Sequence, residues 1–218
     1  MPEPFHADFT TLPAQDRYKL LCSLVVPRPI ALVTTLSPDG IVNAAPFSFF
    51  NVFAEDPPLL VLGLQARCDG SLKDTASHIR DIGAFTVNLV DEGTVAQMNV
   101  CSVDFPPGTS ELDAAGFTAL PGAAIKVPRI GEAVASLECR HFQTLEVGDG
   151  GRRLCIGEVV YLHARAGIVD PARLRVNLDA YKPVARLFAN LYAPLGKPFT
   201  LVRQTYAEWL ASSGIKSG

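Results

Sequence analysis

Glycine and proline interrupt this chain so often that long helices have little room to form. The sequence holds seventeen of each among 218 residues, above the average of roughly 12% for the pair. Between these breaks lie short runs rich in β-branched and aliphatic residues, such as residues 30–36 and 84–90. A helical bundle or coiled coil is therefore disfavoured, and a mainly β fold with a few flanking helices is expected.

Composition and charge narrow the class of protein. Hydrophobic residues make up 48% of the chain and charged residues 19%, which favours a buried core over disorder. A net charge of −3 argues against a nucleic-acid binder, which would carry a basic stripe. The start of the chain lacks the pattern of a signal peptide, and apolar runs such as residues 59–64 are shorter than the ~20 residues of a membrane span. We expect a cytoplasmic protein without nucleic-acid or membrane partners.

Cysteine and histidine give no sign of a disulfide framework or a metal centre. The five cysteines are odd in number, lie far apart and form no CxxC pair, which is typical of free thiols in a reducing compartment. Cys139 and His141 share a face if they lie on a strand, but no second pair of ligands is close in sequence. We therefore expect no metal site.

The first half of the sequence predicts one helix followed by strands. Residues 17–26 have a helical apolar period that ends at Pro27, and residues 30–36 form a strand that stops at a Ser-Pro-Asp-Gly turn. Residues 41–53 continue as a second extended segment and would form a hairpin with the first. Pro46 lies within this segment, which predicts an edge, a bulge or a bend.

The second half predicts two helices, a long excursion and the longest strand pair. The predicted strands are residues 59–64, 84–90, 133–147 and 152–165, the last two joined by a glycine-rich turn, and the predicted helices are residues 71–82 and 94–103. Residues 104–131 form a long irregular excursion that would cover a site. Ser71 and Asp74 resemble a capping box at the start of the first helix, and Gly83 closes it. One domain, residues 1–218, with a core at about 15–203 and an irregular lobe at 168–218, is the economical interpretation, as a closed barrel of about six strands.

No familiar catalytic or nucleotide fingerprint is present, since GxGxxG before a helix, GxxxxGK[ST] and GxSxG are all missing. The remaining candidate for a binding site is a group of polar residues early in the chain. Thr34 and Thr35 end one predicted strand, and Asn43, Ser48 and Asn51 follow along its partner. The small residues at 44 and 45 would let a planar ring approach the backbone.

The start of the predicted helix at 71–82 suits a phosphate, because free N–H groups and the positive end of the helix dipole meet there. Arg67, Lys73 and Thr75 add charge and a hydroxyl. A ring site on a strand with a phosphate site at a helix start describes a pocket for flavin mononucleotide (FMN). Structural alternatives stay open: Ser71 and Asp74 as caps, Asn43 and Asn51 as turn or edge residues, and Lys73 as a solvated charge.

Several motifs, in a fixed order, resemble the flavin reductase-like family. They are residues 28–35 (RPIALVTT), 43–51 (NAAPFSFFN), 56–58 (DPP), 69–75 (DGSLKDT), 83–90 (GAFTVNLV), 156–160 (IGEVV) and 182–187 (KPVARL). The resemblance covers about residues 15–203. It implies a split β-barrel with flanking helices that binds FMN rather than FAD, as a homodimer with the flavin near the subunit interface.

The resemblance also implies the residues of the flavin site. Residues for the ring and ribityl parts are Thr34, Thr35, Asn43, Ala45, Pro46, Ser48, Phe49 and Asn51. Residues for the phosphate end are Arg67, Ser71, Lys73, Asp74 and Thr75. Asp74 is an anion, so its expected role is to cap the helix or orient Lys73.

The implied activity is hydride transfer from NAD(P)H to flavin, with reduced flavin passed to a partner monooxygenase. The alternatives are an FMN-containing electron carrier like the flavoredoxins, and a flavin-binding protein with a regulatory role.

The flavin carries the chemistry, so no catalytic side chain is expected. The candidates for the nicotinamide side of the flavin are His141, Arg186 and Tyr192. A strand histidine satisfied by a neighbour is the alternative for His141. Relatives often carry paired glycines before this tyrosine, and Phe188 here would narrow that side.

Overall fold

The computed structural model describes residues 2–106, 108–148 and 151–213. Its strands are β1 (Ala31–Leu36), β2 (Val42–Phe47), β3 (Phe50–Glu55), β4 (Pro58–Leu64), β5 (Ala84–Leu89), β6 (Ala119–Leu120), β7 (Arg129–Ile130), β8 (Ala135–Val147), β9 (Arg152–Ala164), β10 (Val169–Asp170), β11 (Arg175–Val176), β12 (Val184–Arg186) and β13 (Tyr192–Pro194). Its helices are α1 (Ala14–Leu24), α2 (Asp74–Ile82), α3 (Val95–Val100), α4 (Glu111–Ala114), α5 (Leu178–Tyr181) and α6 (Tyr206–Ser213). The mainly β class with flanking helices is confirmed.

Seven strands form one antiparallel sheet that curls into a split barrel. Their order is β2-β1-β5-β8-β9-β4-β3, so β2 and β3 lie at opposite edges although only Ser48 and Phe49 separate them in the chain. Two residues bridge the edges only if the sheet curves until those edges meet. The Gly63 N–H in β4 donates to the Phe49 carbonyl at 2.7 Å, which extends the β3–β4 pairing into this junction. Pro46 lies in β2, an edge strand, as predicted from the sequence.

Both faces of β1, an interior strand next to the edge strand β2, are buried, which explains its unbroken apolar run. Ala31 and Val33 belong to the cluster that fills the barrel, together with Leu62 and Phe85. The alternate residue Leu32 belongs to a second cluster. That second cluster is formed with side chains from α3 and α4, so these two short helices cover the outside of the barrel beside β2.

A buried carboxylate fixes part of the predicted excursion over residues 104–131. Glu138 of β8 accepts hydrogen bonds from the N–H groups of Ala123 at 2.6 Å, Ala124 at 2.7 Å and Ile125 at 2.9 Å. His163 Nε2 lies 2.6 Å from the same carboxylate. Burial by itself raises the pKa of Glu138, but the amide donors and His163 outweigh it and lower the pKa. The carboxylate is therefore ionised at neutral pH and holds this segment against the barrel.

The start of α2 differs from the sequence prediction. The helix begins at Asp74 rather than Ser71, its N-cap is Lys73, and no side chain caps it, so the predicted capping box is wrong. The reason is competition from nearer partners, because the Ser71 hydroxyl donates to Asp69 at 2.6 Å and Asp74 pairs with Arg67 at 2.7 Å. The predicted end is confirmed, since Gly83 lies in the left-handed region at φ 71°.

The remaining predictions concern the second helix, the turn between β8 and β9, the cysteines, membrane-spanning helices and metal ligands. The helix predicted at 94–103 is shorter, at Val95–Val100. Two residues of the predicted turn between β8 and β9, Asp149 and Gly150, lie outside the described residues. The five cysteines are free thiols, and Cys68 alone among them is exposed. Among the described residues, no helix is long and apolar enough to span a membrane, and no three potential ligands are grouped for a metal.

Phe49, in the junction between the two edge strands, packs closely against Gly63 of β4. A Cβ atom at this position would lie 2.8 Å from Phe49 Cβ, so we expect Gly63→Ala to lower the free energy of unfolding by about 1–3 kcal/mol. Urea unfolding followed by circular dichroism measures the change. The matched control is Gly196→Ala, where nothing lies within 4 Å of the new methyl group. Equal stability of the two variants would show that the packing of Phe49 does not require glycine at residue 63.

Candidate functional site

A cavity of about 650 Å³ lies between α1, the end of β2, α3 and the β12–β13 hairpin. This volume falls in the range of about 300–1,000 Å³ for sites that hold small molecules and cofactors. The lining residues are Tyr18, Lys19, Cys22, Ser23, Arg28, Ile30, Pro46, Phe47, Ser48, Met98, Asn99, Ser102, Arg186, Leu187, Phe188, Ala189, Asn190 and Tyr192. Three of these described side chains are cationic, and none is Asp, Glu or His. The cavity therefore favours an anionic ligand and provides no carboxylate or imidazole for acid–base chemistry.

Arg28 fixes three walls of the cavity at once. Its guanidinium is buried and donates to the carbonyls of Cys22 and Val25 near the end of α1, and to the carbonyl of Leu187. Its Nε donates to the Ser48 hydroxyl at 3.4 Å, at the junction between the two edge strands. No role for Arg28 was predicted from the sequence. The available signal was a charged residue leading directly into a buried strand, because a buried arginine needs several acceptors.

Arg186 and Tyr192, two of the predicted nicotinamide-side residues, lie together in this cavity. They pair across β12 and β13, and the guanidinium carbon of Arg186 lies 4.5 Å from the centroid of the Tyr192 ring. Arg186 also donates to the Ala189 carbonyl, and the Tyr192 hydroxyl donates to Asn99 Oδ1 at 3.3 Å. A cation–π contact and these hydrogen bonds hold both side chains in place. Phe188 lines the same cavity and remains 44% exposed.

Helix α1, which was not predicted to belong to the site, contributes the aromatic ring of Tyr18 to the cavity. The ring of Tyr18 lies 6.3 Å from that of Phe49, centroid to centroid. Burial and the neighbouring Cys22 raise the pKa of Tyr18, so its phenol stays protonated at neutral pH. Tyr18 and Cys22 are four residues apart and face the cavity on the same side of α1. The four-residue spacing of Tyr18 and Cys22 can be read from the sequence, but the same spacing is equally typical of a helix face that packs against a protein core.

A second polar group lies at the start of α2. Lys73 is exposed and forms none of the ion pairs found among the described residues. Thr75 is buried, and its hydroxyl lies 3.2 Å from the side-chain amide of Asn43 in β2. Because α2 has no side-chain cap, its first N–H groups remain available to an anion. β2 connects the two groups, since Ser48 follows Asn43 by five residues, or about 16 Å at ~3.3 Å per residue.

The structure does not bring every predicted site residue to an open surface. Thr34 and Thr35 are fully buried, with the Thr34 hydroxyl donated to the Pro128 carbonyl at 2.6 Å and the Thr35 hydroxyl 3.1 Å from His78 Nδ1. His141 does not line the cavity, and its Nε2 lies 2.8 Å from the Thr144 hydroxyl. Asn51 is exposed on β3, with its Oδ1 bonded to the N–H of Val52.

Of the two small residues predicted to let a ring approach the backbone, Ala44 is covered by other parts of the chain. Ala44 is fully buried, and its N–H donates to the carboxylate of Glu111 in α4 at 3.1 Å. Burial raises the pKa of Glu111, and the charge of Asp74 adds to the effect. Helix α4 therefore covers the outer edge of β2 at this residue. Ala45 and Pro46, the next two predicted residues, are only partly buried.

The fold and this site define a class, the split-barrel flavoproteins. Residues 23–184 match the family model of the flavin reductase like domain, and the chain belongs to that family. Three known proteins illustrate the similarity. An uncharacterized protein of Bacillus subtilis, YwrF, is 42% identical over 207 residues, which cover 91% of this chain and 98% of YwrF.

Two solved structures share both the fold and part of the sequence. Nitrilotriacetate monooxygenase component B from Bacillus cereus superposes with a TM-score of 0.87 at 32% identity, covering 92% of this chain and all of that one. The 2-nitrobenzoate 2-nitroreductase NbaA of Pseudomonas fluorescens gives a TM-score of 0.84 at 36% identity, covering 93% of this chain and 98% of that one. The split-barrel prediction is thus confirmed.

Proposed function

We propose that this protein binds FMN and catalyses hydride transfer to it from NADH or NADPH. The observation that carries the proposal is the cavity beside Ser48. It presents cations and hydrogen-bond donors from Arg28, Arg186 and Tyr192, and none of its described lining residues is Asp, Glu or His. A redox reaction in which the cofactor carries the chemistry needs this kind of site.

The described residues fit FMN at both ends of β2. The uncapped start of α2 and the unpaired Lys73 suit one terminal phosphate, which favours FMN over FAD with its pyrophosphate. At the other end, Pro46 and Ser48 would hold the ring system at the edge of the cavity. Phe49 and Asn51 continue this surface beyond the junction of the two edge strands.

The chain's own residues would position and shield the reactants. When bound, the flavin ring supplies the hydride acceptor, so the protein needs no general acid or base for that step. Arg28 holds the Ser48 hydroxyl at the cavity wall. Arg186, fixed over Tyr192, adds positive charge that attracts the phosphates of a nicotinamide dinucleotide. Phe188 and Tyr192 give this wall apolar area that excludes water.

Similarity to component B of a nitrilotriacetate monooxygenase supports delivery of the reduced flavin to a separate monooxygenase. The comparable similarity to a nitroreductase favours a second candidate acceptor, a nitroaromatic compound reduced by this protein itself. An FMN-containing electron carrier remains the alternative if neither nicotinamide is oxidised.

The activity is tested by mixing purified protein, FMN and either NADH or NADPH. We expect the nicotinamide absorbance to fall only when protein and flavin are both present, with one nucleotide preferred. Adding 2-nitrobenzoate under anaerobic conditions separates a nitroaromatic acceptor from free release of reduced flavin. If flavin binds and neither nucleotide is consumed, the hydride-transfer proposal fails and the electron-carrier alternative gains support.

Lys73 provides a test of the phosphate end. We expect Lys73→Ala to weaken FMN binding by roughly tenfold or more, since a charge-assisted hydrogen bond contributes about 1.5–3 kcal/mol. Flavin fluorescence titration measures the affinity. Arg80→Ala is the matched control, because it removes one cation from the last turn of the same helix, where Arg80 pairs with Asp81. The same affinity in both variants would rule out a phosphate at the start of α2.

We also propose that the protein is a homodimer in which the flavin site lies near the subunit interface. Exposed apolar side chains on β3 and the far half of β8 support this, with Val52 73%, Phe53 66% and Val147 55% exposed. Sedimentation velocity should give twice the mass of one chain, and Val52→Lys combined with Phe53→Lys should shift the protein to the monomer. A monomeric wild-type protein would contradict the proposal.

A further inference from the structure

A second cavity, of about 380 Å³, lies at the open end of the β8–β9 hairpin beside β7. It shares no lining residue with the first cavity. Its polar side chains come from three strands and the residue after β9, and they are Arg129, Ser136, Tyr161, His163 and Arg165. Like the first cavity, it has no Asp or Glu among its described lining residues.

Arg129 of β7 is the unusual member of this set. Its Nε is buried and has no hydrogen-bond partner, and Arg129 forms none of the ion pairs found in the described part of the chain. A buried donor without an acceptor is costly, and a guanidinium in a partly buried position normally has a counterion. The fold thus keeps a cationic donor at this cavity although nothing in the described chain satisfies it.

The nearby acidic groups already have partners of their own. Asp91 accepts hydrogen bonds from the N–H and hydroxyl of Thr94, at 3.0 and 2.9 Å, and pairs with Arg165 at 3.3 Å. Glu138 holds three backbone N–H groups and His163. The Arg165 side chain is still half exposed, so part of its guanidinium remains free to meet a ligand at the rim.

We infer that this cavity binds an oxyanion, a carboxylate or phosphate group, through Arg129 with Arg165 at the rim. A guanidinium presents five donors in a planar fork that matches both kinds of group. The Tyr161 ring, 4.8 Å from the His163 ring, forms one wall. The ligand is a small polar oxyanion, because polar side chains make up most of the lining. The inference is independent of flavin binding at the first cavity.

The test compares thermal unfolding of the full chain in inorganic phosphate, in succinate and in chloride at constant ionic strength. We expect phosphate or succinate to raise the Tm of the wild type, because a ligand that binds only the folded state stabilises it. The anion that acts distinguishes a phosphate from a carboxylate ligand. If neither anion raises the Tm, the inference is overturned.

Two variants locate the effect. Arg129→Met keeps the aliphatic stem and removes the donors, so we expect at least a tenfold loss of anion affinity with no fall in Tm in chloride alone. Arg152→Gln, an exposed arginine at the other end of β9, should leave the anion shift unchanged. A full anion shift in Arg129→Met would overturn the inference. If that variant does not fold, Arg165→Gln serves instead, and it should weaken anion binding several-fold. An unchanged affinity there would also overturn it.

Discussion

Closure of the sheet by two residues is the constraint on which the remaining architecture depends. Because only Ser48 and Phe49 separate the two edge strands, the seven-stranded sheet has to curve until its edges touch. Phe49 of this junction lies so close to Gly63 of β4 that a Cβ atom there would clash with it. The same junction forms one wall of the larger cavity, where Arg28 reaches the Ser48 hydroxyl. Barrel closure and site construction therefore share one short piece of backbone.

The strands were predictable because their signals are local. Runs of β-branched residues bounded by glycine and proline indicated β1, β4 and β5, and Pro46 indicated an edge, a bulge or a bend, of which the edge is found. The contacts of Arg28 were not predictable in this way, because the carbonyl of Leu187 is 159 residues away in the sequence. The partner of Asp74 shows the same limit at short range, since a capping pattern does not reveal that Arg67 competes for the carboxylate.

Polar residues on buried strands were the least predictable part of the candidate site. The sequence marks Thr34 and Thr35 as polar but does not say whether their hydroxyls face a ligand or the interior. Asn88 of β5 explains much of this, because its amide bonds the Leu32 carbonyl, the Thr34 hydroxyl, the Ile130 N–H and the Ser136 hydroxyl. A fully satisfied buried network of this kind fixes strand packing, and it appears only when distant strands are brought together.

The contacts of Arg28 show that the part of the chain needed to build the cavity extends beyond the family match. The family match stops at residue 184, yet Arg28 donates to the carbonyl of Leu187, and Arg186 and Tyr192 line the same cavity. A chain trimmed at the family boundary would lose one cavity wall and leave a buried guanidinium short of an acceptor. The polypeptide beyond the family boundary is thus an integral part of the pocket, and domain exchange between relatives should carry it along.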